Sequence, residues 1–210
     1  MGLKVPYLPS LTSASTGSEI RSALSTISLQ PLAMVNWKEY YYVPKVGFKI
    51  AYTDESILLY YEVSEKHIRA AYLHSNEPVY RDSCVEFFIS FDGSNYYNFE
   101  FNCIGTMLLA YGNEQVDQRK LASPDEISNI YRDTNICSAP DGVTWNLTAN
   151  IPFKIFKEDD VQSLKGKECS ANFYKCGDDL PIPHFLSWTA INHPKPNFHL
   201  PAFFGTLRFL

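Results

Sequence analysis

Alternation of apolar and polar residues with a period of two is the feature of this sequence that most restricts its fold. Segment 79–102, VYRDSCVEFFISFDGSNYYNFEFN, shows it on both sides of Asp92-Gly93. Side chains alternate between the two faces of a strand, and Asp-Gly is a favoured hairpin turn. The segment therefore predicts an antiparallel hairpin. Its apolar face, which we expect to be buried between two sheets, includes Val85, Phe87, Phe99 and Phe101.

The other face of this hairpin carries Glu86, Glu100 and Asn102. The two apolar faces align only if the loop has an odd length. A loop at 92–94 places Glu86 opposite Glu100, and a loop at 92–96 places it opposite Asn102. In either register the polar side chains gather on one face outside the core. A solvated outer face is one interpretation, because antiparallel sheets commonly have one wet side, and a binding surface is the other.

Strand-like runs bounded by turn residues recur along most of the chain. They cover 48–52, 57–63, 85–91, 97–104, 107–111, 145–151, 169–175, 185–191 and 206–210. Short strands at such intervals are typical of sandwiches and jelly rolls. We predict an all-β fold, an antiparallel β-sandwich of the jelly-roll or immunoglobulin-like type with one or two short helices.

Two stretches have helical character. In SPDEISNIYR, Ser123 is a candidate N-cap with Pro124 at N1 and Glu126 at N3, which is a capping-box arrangement. The second stretch is FKEDDVQSLKG at 156–166. The remainder of 112–142 is polar, and we interpret it as a long connection.

Composition and charge restrict the class of protein. The chain is 45% hydrophobic and 20% charged. We expect a β-sandwich domain at 37–210, preceded by an N-terminal extension at 1–36 that packs on the domain or leads into it. The net charge of -5 argues against a nucleic-acid partner, because phosphate binding requires clustered Lys and Arg. We expect no membrane span, since no apolar run reaches about 18 residues. The start, MGLKVPYLPSLTSAST, lacks the continuous apolar stretch of a signal peptide.

The cysteines and histidines do not form a known metal or catalytic motif. The five cysteines include no C-x-x-C pair, so a zinc knuckle and a thioredoxin motif are excluded. Cys84 and Cys103 fall in the predicted hairpin, where we expect buried free thiols. The five histidines lack ligand spacing, and no nucleophile elbow, P-loop, H-E-x-x-H or EF-hand loop occurs.

Aromatic residues beside carboxylates and amides favour a sugar site. The chain contains 14 Phe, 14 Tyr and 3 Trp. Pyranose rings pack their C–H faces on aromatic planes, and their hydroxyls need polar partners. Tyr80 lies in a polar neighbourhood, and Trp188 follows the Pro-rich stretch PIPHFLS. The alternatives are a strand-edge packing role for Tyr80 and a core position for Trp188.

Five segments resemble successive blocks of the family 9 carbohydrate-binding modules, in the family 9-like subgroup. They are VYRDSCVEFFISFDG, YYNFEFNCIGTMLLAYG, WNLTANIPF, ANFYKCGDDLPIPHFLSW and FHLPAFFGTLRF. The resemblance covers the chain from Trp37 onward. It implies a bacterial β-sandwich found beside xylanases or free-standing, and an extracytoplasmic location. It also implies binding of terminal, reducing-end sugars between two aromatic rings, with Ca²⁺ as a structural ion.

The resemblance implies roles for particular residues. Tyr80 takes the place of the first aromatic wall, where the family typically has Trp, and Glu86 that of a hydroxyl acceptor. Trp188 is our choice for the second wall. Glu100 occupies a position where a basic sugar contact is expected. The complete set of predicted ligand-binding residues is Tyr80, Arg81, Glu86, Glu100, Asn102, Asn172, Tyr174, Lys175 and Trp188.

We therefore expect a non-catalytic module that binds a carbohydrate, of xylan-like or glucan-like type, in support of carbohydrate catabolism. One alternative is a glycoside hydrolase that uses Glu86 and Glu100, because such enzymes need two carboxylates about 5 Å or about 6.5–9.5 Å apart. The other alternative is an interaction module whose sugar site has decayed.

Overall fold

The structure, a computed structural model, describes residues 2–210. The helices are α1 (Gly17–Leu24) and α2 (Pro124–Ser128). The strands are β1 (Leu3–Val5), β2 (Gln30–Pro31), β3 (Met34–Val35), β4 (Lys45–Tyr52), β5 (Ser56–Glu65), β6 (Cys84–Ser90), β7 (Tyr96–Asn102), β8 (Met107–Gly112), β9 (Lys120–Leu121), β10 (Tyr131–Ala139), β11 (Gly142–Pro152), β12 (Glu168–Cys176), β13 (Phe185–Ser187) and β14 (Gly205–Phe209).

These strands form two sheets packed face to face, which confirms the predicted β-sandwich. Sheet 1 has the order β1-β14-β12-β6-β7-β8-β9, and β13 pairs with both β12 and β3. Sheet 2 has the order β10-β11-β5-β4-β2. The pairings between these strands are antiparallel, except that β1 lies parallel to β14.

The hairpin of β6 and β7 adopts the first of the two predicted registers. Glu86 lies directly opposite Glu100. The turn between the strands contains Gly93 at a φ of 81°, a left-handed conformation that glycine adopts at little steric cost. Oδ1 of Asp92 accepts the backbone N–H groups of Ser94 and Asn95 at 2.7 and 2.8 Å. The turn therefore fixes which residues face each other across the hairpin.

The core between the sheets contains the apolar face of the hairpin, as predicted. Phe87 stacks on Phe99 with ring centroids 5.9 Å apart and on Phe173 of β12 at 5.0 Å. Both predicted partners on the same face, Val85 and Phe101, are also fully buried. Sheet 2 contributes the alternating apolar residues of β11, which are Trp145, Leu147, Ala149 and Ile151.

The outer face of sheet 1 is not solvated, so the interpretation of it as a wet surface is wrong. Irregular segments at 66–83 and 188–204 lie over it. A second apolar cluster joins strand residues to these segments, and it contains Trp37, Val79, Cys84, Phe88, Tyr96, Tyr174, Cys176, Ile191 and Phe198. Polar side chains on this face are consequently buried.

Part of the outer face of sheet 2 is covered by α1, a helix that the sequence analysis did not predict. Thr16 and Glu19 form a capping box at its start, a signal that was present in the sequence. Ile20 and Leu24 of the helix are buried, and they pack in one cluster with Leu58 of β5. Among residues 2–210, no helix is long and apolar enough to cross a membrane.

One predicted connection and one of the two predicted helical stretches differ from the structure. The polar segment 112–142 contains β10, which pairs along its length with β11 at an edge of sheet 2. Polar residues are accepted at such an edge, so the sequence of β10 lacks the apolar alternation that would have predicted a strand. Helix α2 was predicted and is confirmed, with Ser123 as N-cap. Segment 156–166 forms turns after a 3₁₀ turn at Phe153–Ile155.

Truncation of Phe87 tests the core assignment. Phe87→Ala removes a ring that is fully buried, so the free energy of unfolding should fall by about 3–5 kcal/mol. Tyr41→Ala is the control, because Tyr41 is 79% exposed and should change stability by less than about 0.5 kcal/mol. Chemical denaturation measures both. Equal stability of Phe87→Ala and the wild type would contradict the assignment.

Candidate functional site

A cavity of about 470 Å³ lies on the outer face of sheet 1. Strands β6, β7 and β8 contribute Glu86, Asn98, Glu100, Leu108 and Ala110 to its lining. The walls come from segment 116–121, from Tyr80 in covering segment 66–83, from residues 196–199 in covering segment 188–204, and from the stretch between the end of β12 and the start of β13. The wall residues are Tyr80, Val116, Asp117, Arg119, Leu121, Cys176, Asp178, Phe185, Pro196, Asn197, Phe198 and His199.

Glu86 and Glu100 are the central polar residues of this cavity. Their exposed fractions are 2% and 3%. Burial raises the pKa of each carboxyl above its ordinary value, and for Glu86 the nearby charge of Glu100 raises it further. The Cys176 thiol lies 3.0 Å from Glu86 Oε1, and Glu100 Oε1 accepts a hydrogen bond from Asn98 at 2.8 Å. Glu100 Oε2 has no partner among the described residues.

Arg119 lines the cavity next to Asn98. Its Nη2 and Nε donate to Asn98 Oδ1 at 2.7 and 3.2 Å, and it also donates to the backbone carbonyls of Tyr96, Gly112 and Asn113. The guanidinium lies over the Tyr96 ring, 3.9 Å from its centroid. Arg119 is therefore held rigidly, and it orients the amide of Asn98 toward Glu100.

Tyr80 lies at the rim of the cavity. It belongs to a 3₁₀ turn, Val79–Arg81, immediately before β6, and it is 37% exposed. The N–H of Asp178 donates to the Tyr80 carbonyl at 3.4 Å, which joins the turn to the end of β12. Burial, and then the charge of Asp179, raise the pKa of Asp178 to about 6.

An aromatic wall closes another part of the cavity. Phe198 stacks on Tyr174 with ring centroids 4.1 Å apart and an angle of 9° between the planes. The Tyr174 hydroxyl donates to the Phe198 carbonyl at 3.2 Å. His199 bonds to the Tyr96 hydroxyl through Nδ1 at 2.8 Å, and burial lowers its pKa to about 4. The imidazole is therefore neutral at neutral pH.

Of the nine predicted ligand-binding residues, the structure brings Tyr80, Glu86 and Glu100 together around the cavity. Tyr174 lies behind the lining and supports Phe198. The other predicted residues lie elsewhere. They are Arg81, Asn102, Asn172, Lys175 and Trp188.

Asn102 and its neighbour Asp82 anchor a covering segment. The Asn102 side chain donates to the Tyr72 carbonyl at 2.9 Å and to Asp82 Oδ2 at 3.0 Å. Asp82 also accepts the N–H groups of Ala71 and Tyr72 at 3.0 Å and pairs with Arg69. Both side chains are fully buried, so they hold the segment against the sheet, and neither lines the cavity.

Asn172 and Arg81 also make contacts within the protein. The Asn172 Oδ1 accepts the N–H of Thr189 at 3.0 Å, which fixes the chain after β13. Arg81 is exposed, and its Nε lies 3.9 Å from Asp179 Oδ1. Neither side chain lines the cavity.

Lys175 and Trp188 point away from the cavity. Lys175 is adjacent to Tyr174 in β12, so its side chain points to the opposite face of the strand, toward the space between the sheets. There its Nζ lies 2.9 Å from Glu65 Oε2 and 2.8 Å from His184 Nε2. The Trp188 ring packs edge-on against Phe173 and Phe48, with centroids 5.7 and 6.0 Å apart. Trp188 is half-buried at the inter-sheet core, so its proposed position as second wall is corrected.

One group of side chains could hold a metal ion. Among the described residues, ligand atoms of Cys84, Glu86 and Cys176 lie within 4.8 Å of one another. Thiol donors suit Zn²⁺ and similar ions, whereas Ca²⁺ takes oxygen ligands. The Ca²⁺ implied by the resemblance stays a prediction without a site. The other buried thiols are Cys103 and Cys169, while Cys137 is exposed.

Sequence reasoning missed several residues that line the cavity. Asn98 lies on the same strand face as Glu100, so the period of two was sufficient to include it. Arg119 lies in a segment interpreted as a connection, and Asp178, Phe198 and His199 lie in loops. No local pattern indicates that these loops fold over β6 and β7.

Comparison with known proteins places the chain in a family. The model of carbohydrate-binding family 9 matches residues 20–209. A crystal structure of a Bacteroides uniformis ATCC 8492 protein, suggested to bind carbohydrate, is 42% identical with a TM-score of 0.91 over 99% of this chain and 98% of that one. No curated protein matches the chain. The chain belongs to carbohydrate-binding family 9.

Two more distant structures share the fold. They are of a family 9 carbohydrate-binding module from Caldicellulosiruptor kristjanssonii. The module in the structure with glucose is 14% identical to this chain, with a TM-score of 0.63 over 99% of this chain and 95% of the module. The module in the structure with cellotriose is 15% identical to this chain, with a TM-score of 0.65 over 99% of this chain and 92% of the module.

Truncation of Trp188 distinguishes a core role from a ligand-stacking role. Trp188→Ala removes contacts with Phe173 and Phe48, so the free energy of unfolding should fall by an amount near the lower end of about 3–5 kcal/mol. Trp188→Phe is the control and should lose less, because it keeps an aromatic ring between the sheets. Chemical denaturation measures both. An unchanged free energy of unfolding in Trp188→Ala would contradict the core role.

The buried carboxyl pair predicts a pH dependence of stability. The folded protein holds protons on Glu86 and Glu100 at pH values where the unfolded chain releases them, so this pair lowers stability as the pH rises from 4.5 through about 7. Glu100→Gln removes one titrating group. The free energy of unfolding of Glu100→Gln minus that of the wild type should therefore become more positive as the pH rises through this range.

Denaturation curves at several pH values measure this difference. Glu39→Gln is the matched control, because Glu39 is exposed and should leave the pH dependence as in the wild type. A constant difference between Glu100→Gln and the wild type across the range would contradict the prediction.

Proposed function

We propose that this protein is a non-catalytic binding module for the terminal units of xylan-like or glucan-like oligosaccharides, in support of carbohydrate catabolism. The observation that carries the proposal is the placement of an exposed tyrosine, Tyr80, beside the opposed carboxyls of Glu86 and Glu100 in one cavity. The cavity of about 470 Å³ falls within the range of about 300–1,000 Å³ that is usual for small-ligand sites.

The lining suits the two kinds of surface on a pyranose ring. Tyr80 and Phe198 offer aromatic faces for its C–H groups. Glu86 and Glu100 offer carboxyl oxygens that accept hydrogen bonds from its hydroxyls and, when protonated, also donate to them. A buried acceptor without a donor is costly, so a hydroxyl that reaches Glu100 Oε2 gains a bond that this oxygen lacks in the protein alone.

The ligands of related structures support the substrate class. The Caldicellulosiruptor kristjanssonii module is in complex with glucose in one structure and with cellotriose in another. By analogy, we infer for this chain a glucose-type or xylose-type ring at the end of an oligosaccharide.

The spacing of the carboxyl pair makes hydrolysis the second candidate function. Side chains directly opposite on neighbouring strands have Cβ atoms about 4.5–5.5 Å apart, and retaining glycoside hydrolases use two carboxyls about 5 Å apart. The contacts within the protein support binding, because the Cys176 thiol lies 3.0 Å from one oxygen of Glu86 and the Asn98 amide donates to one oxygen of Glu100.

Calorimetry with cello-oligosaccharides and xylo-oligosaccharides tests the proposal. Tyr80→Ala should weaken binding at least about tenfold, which corresponds to about 1.4 kcal/mol, because it removes the aromatic face at the rim. Tyr41→Ala removes an exposed tyrosine outside the cavity and should bind as the wild type does. Unchanged affinity in Tyr80→Ala would contradict this site.

A second arm of this experiment separates binding from catalysis. Incubation with the same oligosaccharides should release no new reducing ends, and Glu86→Gln should change affinity alone. Turnover that is lost in both Glu86→Gln and Glu100→Gln would establish a hydrolase instead. Absence of binding to every saccharide would support the interaction module.

A further inference from the structure

Resting on the proposed function, we propose that this cavity prefers a sugar that carries a protonated amino group, such as a glucosamine unit, over the same sugar without that charge. The preference follows from the excess of carboxyl groups in the lining. Glu86, Glu100, Asp117 and Asp178 line the cavity, and the basic side chains among the lining residues are Arg119 and His199.

Neither basic residue makes a hydrogen bond to the carboxyl pair, although Arg119 lies near enough for its charge to act on Glu100. Arg119 directs its N–H groups to Asn98 Oδ1 and to backbone carbonyls, so it makes no hydrogen bond to Glu86 or Glu100. His199 is neutral at neutral pH because burial lowers its pKa. Lys175 faces the opposite side of β12, where it pairs with Glu65.

Glu100 provides the second observation that points to a ligand. It is 3% exposed, it lines the cavity, and its Oε2 has no hydrogen-bond partner among the described residues. A buried carboxylate oxygen without a donor or a cation is costly. An ammonium group supplies donors together with a positive charge, whereas a hydroxyl supplies one donor and no charge.

An ammonium group makes stronger hydrogen bonds to the carboxyl pair than a hydroxyl group does. Hydrogen bonds between an ammonium group and carboxylate oxygens are charge-assisted, and they are about twice as strong as neutral ones. An N-acetyl group at the same position lacks the charge and is bulkier.

Calorimetry with a matched set of sugars tests this inference. Glucose, glucosamine and N-acetylglucosamine are titrated into the full chain at neutral pH, after chelator treatment so that no metal ion occupies the thiol and carboxyl groups of Cys84, Glu86 and Cys176. Glucosamine should bind at least about tenfold more tightly than glucose, and N-acetylglucosamine no more tightly than glucose. Added salt should reduce the glucosamine advantage.

Variants locate the preference within the cavity. Glu100→Gln should reduce the ratio of glucosamine to glucose affinity by at least about fivefold, and Asp178→Asn should reduce it in the same direction. Glu39→Gln makes the same change in charge at an exposed position outside the cavity and should leave the ratio unchanged. Circular dichroism confirms that each variant is folded before titration.

The outcomes separate this inference from the proposed function. Binding of glucose with equal or weaker binding of glucosamine would overturn the charge preference and leave carbohydrate binding in place. A glucosamine preference that persists in both Glu100→Gln and Asp178→Asn would also overturn it. Absence of binding to all three sugars and to the oligosaccharides would overturn the proposed function itself.

Discussion

The pairing of β6 with β7 is the interaction on which the rest of the structure depends, because both faces of this pair are buried. One face places Phe87 and Phe99 in the core between the sheets, and the other places Glu86 and Glu100 beneath the covering segments. A shift of one residue would exchange the two faces and would put carboxyl groups into the apolar core. The turn at Gly93 prevents such a shift by fixing the length of the loop.

The buried carboxyls then determine what surrounds them. Glu86 Oε1 has the Cys176 thiol as a partner, and Glu100 Oε1 has the Asn98 amide. Arg119 holds Asn98 in place from the segment after β8. Glu100 Oε2 is buried without a hydrogen-bond partner among the described residues, and our two proposals assign it a hydroxyl or an ammonium donor of a bound sugar.

The covering segments are held by side chains whose residue types also suit a sugar site. Asn102 and Asp82 bind the backbone near Tyr72, and Asn172 binds the backbone at Thr189. Carboxylates and amides on this side of sheet 1 therefore have two uses in the fold. Some form hydrogen bonds with the loops that close the outer face, and Glu86 and Glu100 line the cavity that these loops leave open.

Alternation alone was sufficient to predict the hairpin, its register options and the burial of Phe87 and Phe99, because strand geometry is local. The contents of the cavity were not predictable in this way, since Arg119 and Phe198 arrive from segments distant in sequence. Trp188 shows the limit clearly. It follows the Pro-rich stretch PIPHFLS and comes directly after a short strand that ends at Ser187, but its ring turns inward against Phe173.

A crystal structure of the protein with bound cellotriose tests the central claim most directly. The account predicts a terminal sugar ring against Tyr80, with hydroxyl oxygens about 2.5–3.0 Å from carboxylate oxygens of Glu86 and Glu100. A sugar bound at another surface, with the cavity between Tyr80 and Glu100 free of ligand, would contradict it.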